Sequence, residues 1–328
     1  LRGKDDDAVA TLGGAVGNLC DAGCVRVVEG NDRATQVALH ESIHIDVDPA
    51  EISKIRFADV PIVGDLKYVL PELTDLLSTE FAQQLPNLTE WWNELNVIRK
   101  DYPLGYEKPT DGLGSPEYVL ERISALTGPD AYYVTGVGQH QMWGAHYIQQ
   151  ESPRHFVSSA GLGTMGYGVP AGMGAKVAHP DSTVWIIDGD GCFQMTNQEL
   201  VTCAQNNIPV KVAIINNSSL GMVRQWQTLF YDERYSNTDL KDGHGTVRIP
   251  DFVKLGEAYG CATFRCERDE DVDATIKAAL EINDRPVVID FTVSPHALVW
   301  PMVPAGVSND KIWIAKNTSP EFDREGEN

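Results

Sequence analysis

The chain has 328 residues, 42% of them hydrophobic and 22% charged: enough for about two domains with a full apolar core, and too apolar for a disordered polypeptide. Its 26 Lys and Arg face 47 Asp and Glu, and a net charge of -21 repels nucleic-acid phosphates and anionic lipid surfaces alike. No apolar run approaches the ~20 residues of a membrane-spanning helix, so the expectation is a soluble globular protein with no nucleic-acid and no membrane partner, whose anionic ligands must be captured locally by backbone amides, a helix N-terminus or a metal.

The chain opens "LRGKDDDAVATLGG" with no Met, no charged n-region and no apolar h-region, so it is expected to begin inside a longer protein. From residue 1 to about 88, strand and helix patterns alternate as in a partial Rossmann-like domain, with "SIHIDVD" (42–48) as the clearest strand. Asp48-Pro49-Ala50-Glu51 then has the form of an N-cap, an N1 proline and an N3 glutamate, and predicts a helix. Residues 89–112 change character, a short Trp-rich helix followed by Pro, Gly and charge, and are expected to link two domains.

A second domain is expected over 113–310, leaving 311–328 as a C-terminal tail. Ser115-Pro116-Glu117 starts a helix that Gly128-Pro129 stops. Strand candidates follow at 131–135, 155–158, 183–188, 210–215, 262–266 and 286–292, with helices between most of them. Short β-rich runs separated by helices imply an α/β fold, a parallel sheet flanked by helices on both faces. Ligands of such sheets sit outside the carboxyl ends of the strands. The six cysteines, Cys20, Cys24, Cys192, Cys203, Cys261 and Cys266, include no C-x-x-C pair and no zinc spacing with histidine, and read as reduced thiols of a cytoplasmic protein.

Two consecutive strands end in groups suited to one ion. "TVWIID" runs into Gly189-Asp190-Gly191, where flanking glycines permit a tight turn, and Thr196-Asn197-Gln198-Glu199 then predicts a capping box and a helix. "VKVAII" ends at Asn216-Asn217-Ser218-Ser219. Carboxyl ends of adjacent parallel strands lie roughly 5 Å apart, so Asp190, Asn217 and the Ser219 carbonyl would offer an incomplete, oxygen-only shell of the kind magnesium occupies beside phosphates. Taken singly, each piece is also ordinary turn punctuation.

A rival lies upstream. "GLGTMG" (161–166) matches G-x-G-x-x-G, with Asp188 about twenty residues later, as in a dinucleotide-binding unit of a nicotinamide dehydrogenase. Against it, the glycine run continues through Gly168, Gly172 and Gly174, and Asp190 and Asn217 are left without a role. At a third strand end, Gly136 and Gly138 precede Gln139 and His140, whose amide and imidazole could donate to a diphosphate; a core histidine reads equally well there.

"GDG" followed by "INN" resembles the signature of thiamine-diphosphate enzymes. "GVGQHQMW", "SSAGLGTMGYGVPAGMGAK", "LGMVRQWQTLFY" and "WPMVPAGVSND" resemble more narrowly the catalytic large subunit of bacterial acetohydroxyacid synthase, or acetolactate synthase, from about Ile43 to Asp310. The resemblance implies a thiamine-diphosphate-binding fold over 113–310, behind part of the family's middle domain over 1–88. It implies magnesium on Asp190, Asn217 and Ser219, and thiamine diphosphate near Gln139, His140, Gly163, Gly189, Gly191 and Cys192. Met165 would lie under the thiazolium, and Met222 and Trp226 would line the substrate pocket. Asp46 and Asp65 would flank a structural FAD, and Arg33 of "GNDRATQ" would face the keto-acid carboxylate.

The activity implied is decarboxylation of pyruvate and its ligation to a second 2-keto acid, pyruvate or 2-ketobutyrate, in branched-chain amino acid biosynthesis. A homodimer or homotetramer with a regulatory small subunit is implied as well. The family's pyrimidine-binding domain, with its activating Glu, has no counterpart in these 328 residues, so the chain by itself is expected to be inactive. The alternatives are a non-catalytic cofactor-binding fragment, or another enzyme of the same cofactor such as pyruvate oxidase or a 2-keto acid decarboxylase.

Overall fold

A computed structural model describes residues 42–79, 87–240 and 249–320. Cys20, Cys24 and Arg33 lie outside the described residues. The chain divides into two compact units, one within Leu1–Leu104, Val303–Trp313 and Ser319–Asn328, the other Gly105–Met302 with Ile314–Thr318.

In the first unit, β1 (Ile43–Asp46) and β2 (Val60–Val63) pair in parallel, Ile43 opposite Val60. Helix α1 (Leu66–Thr79) follows, and its Val69, Leu73 and Leu76, spaced by four and three, form the stripe that packs on Ile62, Ile43 and Ile45. Helix α2 (Thr89–Asp101) is the Trp-rich segment and buries no residue. The helix predicted at Asp48-Pro49-Ala50-Glu51 does not form. Asp48 Oδ1 accepts from Ala50 N–H at 2.9 Å, three-residue turns run on to Lys54, and Ser53 sits at φ +61°. The start signals are present, but Ile55 is 98% exposed and Phe57 77% exposed; with no apolar face to bury, one turn does not propagate.

In the second unit the stop and start signals hold. Helix α3 (Pro116–Thr127) is capped by Ser115, whose Oγ accepts from Tyr118 N–H at 3.3 Å, and ends at Gly128 with φ +95°. After it come β3 (Tyr132–Thr135), α4 (Gln139–Tyr147), β4 (Phe156–Ser158) and α5 (Gly168–Ala178). Then come β5 (Val184–Gly189), α6 (Asp190–Phe193), α7 (Glu199–Gln205), β6 (Lys211–Asn216) and α8 (Gly221–Phe230). The unit closes with α9 (Phe252–Ala258), β7 (Ala262–Cys266), α10 (Asp269–Glu281) and β8 (Val287–Thr292).

The six strands form one parallel sheet in the order β4-β3-β5-β6-β8-β7. Alternate residues go to opposite faces, as a period of two requires. Trp185, Ile187, Ala213, Ile215, Ile289 and Phe291 pack under α3, α4 and α10, whereas Ile186, Val212, Ile214 and Val288 pack under α5, α7 and α9. Because both faces are covered, β5 and β6 are buried along their whole length, which is why they read as continuous apolar runs.

From β3 the chain steps outward to β4, then returns to the other side of β3 for β5 and β6. The loops after β3 and β5 therefore leave in opposite directions, and a crevice opens between them. Two local expectations are corrected here. Asp190 is not the middle of a tight turn but the first residue of α6. Thr196 does not cap α7: its hydroxyl donates to the Gly166 carbonyl at 2.8 Å, and α7 starts at Glu199 with no side-chain cap.

Candidate functional site

The crevice holds a cavity of about 170 Å³, all in the second unit, bounded by the loops after β3, β5 and β6 and by Gly163 and Met165. The first turns of α4 and α8 open onto it through Gly138, Gln139, Gly221 and Met222. First-turn amides have no partner inside their own helix and carry the positive end of its dipole, so two such ends suit an anion. A larger cavity of about 620 Å³ lies elsewhere in the unit, around Tyr106, Glu117 and His296, and includes none of the predicted site residues.

Asp190 and Asn217 meet at the cavity. Ser219 N–H is shared between Asp190 Oδ2 at 3.2 Å and Asn217 Oδ1 at 3.1 Å, so the two oxygens converge on one point. The other oxygen, Asp190 Oδ1, accepts from Gly191 N–H at 2.7 Å. Ser218, at φ +57°, is the left-handed residue that turns the chain back so that Ser219 faces Asn217. All three of Asp190, Asn217 and Ser219 are buried. Burial pushes the Asp190 carboxyl up to about 7 against the pull of its backbone donors, and no Lys or Arg is among the described residues that line the cavity with it. A buried carboxylate and an amide oxygen with no positive neighbour are a donor set for a hard divalent cation. The residues present therefore fit magnesium.

Gln139 and His140 stand differently from a simple donor reading. Gln139 donates both side-chain N–H groups inward, to Gln225 Oε1 at 2.8 Å and the Ala297 carbonyl at 3.2 Å, and its Oε1 accepts from Asn217 Nδ2 at 3.1 Å. Its side chain is fully committed to protein, which leaves its backbone N–H for an anion. The His140 ring is clamped by Gly138 and Gly189; a Cβ on either would come within 2.7 or 2.8 Å of it. Its Nε2 faces Asp188 Oδ1 at 3.5 Å, and burial holds the ring neutral, down to about 3. Cys192 lines the cavity, and its sulfur accepts from Gly166 N–H at 3.0 Å and Val137 N–H at 3.4 Å, which ties the loops after β4 and β3 to α6. Burial, with Asp188 close by, pushes this thiol up to about 12.

The remaining predicted residues are divided. Gly163, Met165, Gly189, Gly191 and Met222 line the cavity. Trp226, one turn beyond Met222 on α8, does not line it and is 44% exposed. Asp46 ends β1 and Asp65 precedes α1 just after β2, so both lie at one edge of the small sheet in the first unit. Their carboxylates accept from Asp48 N–H and Lys67 N–H respectively. The dinucleotide reading fails on geometry. Asp188, its ribose acid, is fully buried, with oxygens against Gly136 and Gly168, where a Cβ would come within 2.0 and 2.9 Å. In addition, Gly161 and Gly163 lie in an exposed loop ahead of α5 rather than at its first turn.

Gln225 is the residue sequence reasoning misses. It lies in "LGMVRQWQ" beside the conspicuous Trp226, and only its 1% exposure and its bond to Gln139 mark it.

Residues 136–291 match the family described as thiamine pyrophosphate enzyme, C-terminal TPP binding domain. The chain is 59% identical over 281 residues to an acetolactate synthase of Mycobacterium bovis, an alignment covering 86% of this chain and 45% of that protein. It is 58% identical over 285 residues to an acetolactate synthase of Mycobacterium leprae, covering 87% and 45%. To the acetolactate synthase large subunit of Corynebacterium glutamicum it is 52% identical over 281 residues, covering 86% and 44%. The chain thus spans about half the length of the curated relatives it matches.

Proposed function

From a chain whose residues 136–291 are a C-terminal TPP binding domain of the thiamine pyrophosphate enzymes, we propose that the protein carrying it is an acetolactate synthase large subunit. It would join the two-carbon unit left by decarboxylation of pyruvate to a second 2-keto acid. The carrying observation is the buried Asp190, which shares one backbone N–H with Asn217 at a cavity that two helix N-termini face.

In this reading Asp190, Asn217 and the Ser219 carbonyl would hold magnesium, whose charge would offset that of the diphosphate. First-turn amides of α4, beginning at Gln139, would take up the phosphate charge, which suits a chain with net charge -21 and a cavity with no Lys or Arg among its described lining residues. When bound, thiamine diphosphate supplies the electron sink for carbanion chemistry. Met165, beside Gly163 on the cavity wall, supports the ring end; Met222 and the exposed Trp226 face the substrates. FAD near Asp46 and Asp65, a keto-acid contact from Arg33, a homo-oligomer and a regulatory small subunit belong to the same proposal, supported by the family resemblance alone.

Calorimetry on the full-length protein tests the site. Thiamine diphosphate uptake should require magnesium, and Asp190→Ala should weaken it at least a hundredfold, since removing a charged ligand leaves the diphosphate facing a protein of like sign. Magnesium-independent uptake, or uptake unaffected by the substitution, would overturn the assignment.

A further inference from the structure

An asparagine is a metal ligand only if its oxygen, not its nitrogen, faces the ion, and the two ends have nearly the same shape. A chain of amides behind Asn217 settles which end that is. Its direction is set at the far end by Val299 N–H, a backbone donor that has no acceptor alternative. This group donates to Gln225 Oε1 at 2.9 Å. Gln225 must then point its Nε2 the other way, where it donates to the Val299 carbonyl at 3.2 Å and Met302 Sδ at 3.4 Å.

The same Gln225 Oε1 accepts from Gln139 Nε2 at 2.8 Å, so Gln139 Oε1 is turned to Asn217 and accepts from its Nδ2 at 3.1 Å. Asn217 Oδ1 is left facing Ser219 N–H and Asp190. The three side chains are all buried, so no water competes at any link. Gly221 makes the approach possible: a Cβ there would lie 2.0 Å from Gln139 Oε1 and 2.6 Å from Asn217 Nδ2.

We infer that Gln225 is a positioning residue for the metal ligand Asn217: acting through Gln139, it fixes the amide direction that presents an oxygen to the cation and ties that ligand to the segment 297–302. The inference rests on the magnesium role proposed for Asn217. Gln225 touches neither cation nor cofactor in this scheme.

The test is the magnesium concentration for half-maximal thiamine diphosphate uptake by the full-length protein, read by intrinsic fluorescence, with apo melting temperatures measured in parallel. Gln225→Leu should raise that concentration roughly tenfold or more, the usual effect of losing a group that orients a ligand. Gln225→Glu, which still accepts from both Val299 N–H and Gln139 Nε2, should recover most of the loss. Asn217→Asp presents an oxygen whichever way it turns, so in that background Gln225→Leu should add little. Should Gln225→Leu fail to fold, Gln225→Met, closer in shape, takes its place in the same cycle.

If Gln225→Leu leaves the magnesium requirement unchanged while Asn217→Ala raises it, this inference falls and the metal site stands. If Gln225→Glu is as impaired as Gln225→Leu, or if the leucine effect persists undiminished beside Asn217→Asp, Gln225 acts by packing and the inference falls. If Asn217→Ala has no effect, the metal reading falls with it.

Discussion

At the scale of single residues the unit is built around polar groups that burial forces into fixed arrangements. Lys211, at the start of a fully buried strand, is 1% exposed and has no carboxylate partner among the described residues; its ammonium donates to the Ile282 carbonyl at 2.8 Å and Asn283 Oδ1 at 3.3 Å. Burial, and secondarily Lys176, pulls it down to about 8. The unfolded chain, with a lysine near its usual value of about 10.4, holds this proton across a window in which the folded protein has lost it. Stability contributed by Lys211 therefore rises with pH between about 8 and 10 and is flat below. Urea unfolding at pH 8 and pH 10 should show wild type gaining on Lys211→Met by about 1–3 kcal/mol; equal pH slopes would mean that the ammonium is not desolvated.

A second residue-scale prediction concerns Gly136. A methyl group there would lie 2.0 Å from Asp188 Oδ1 and 2.5 Å from Cys192 Sγ. Both neighbours are buried side chains two residues either side of Asp190, Asp188 in β5 and Cys192 in α6, so neither can swing into solvent. Gly136→Ala should lower stability by about 1–3 kcal/mol and weaken magnesium-linked cofactor uptake together, measured by thermal melts and calorimetry on one preparation. A fall in stability with intact uptake would separate the strand end from the site.

Between elements, close approach and one ion pair hold the helices on the sheet. Helix α5 rests on β5 at Gly172, where a Cβ would come within 2.3 Å of Ile186 Cγ1. Gly172→Ala trades a gain in helix propensity of about 1 kcal/mol against an overlap with a fully buried strand, and the overlap should win. Across α3 and α10, Arg122 grips Asp273 through two bonds of 2.6 and 2.8 Å. Both side chains are about a third exposed, so Arg122→Ala should cost about 1 kcal/mol or less and shift the melting temperature by only a few degrees. A larger loss would mean that the aliphatic stem of Arg122 packs, not merely its charge.

How legible an element was depended on whether its signals were local. The six strands of the second unit fall within a residue or so of their predicted positions, and Ser115 and Gly128 bound α3 as expected, because apolar runs and caps act over a few residues. Asp48-Pro49-Ala50-Glu51 carried equally good start signals, yet no helix formed, since what sustains a helix is the face it buries. Thr196 had a cap's sequence position, but the Gly166 carbonyl, thirty residues away, took its hydroxyl.

At the scale of the whole molecule, the described residues contain no helix long and apolar enough to cross a membrane. The chain corresponds to about 45% of its mycobacterial relatives. We expect the full-length protein to form acetolactate from pyruvate only with thiamine diphosphate and magnesium, and residues 1–328 alone to form none, assayed by acetoin colour after acid decarboxylation. Turnover by the 328 residues alone would show that everything needed for chemistry lies within them.

Read without a structure, the sequence determined the parallel α/β architecture, the strand ends that border the cavity, and the pairing of Asp190 with Asn217. These follow from periodicity, glycine placement and the geometry of neighbouring strands, all of which act at short range. Only the tertiary structure decided that the side chain of Gln139 is spent on protein, that the Cys192 sulfur is held by the Gly166 and Val137 N–H groups, and that Gln225 stands behind Gln139 and Asn217. Those outcomes depend on which distant groups burial brings within 3 Å of one another, and a buried donor or acceptor takes the partner it is packed against, however far away it lies in the chain.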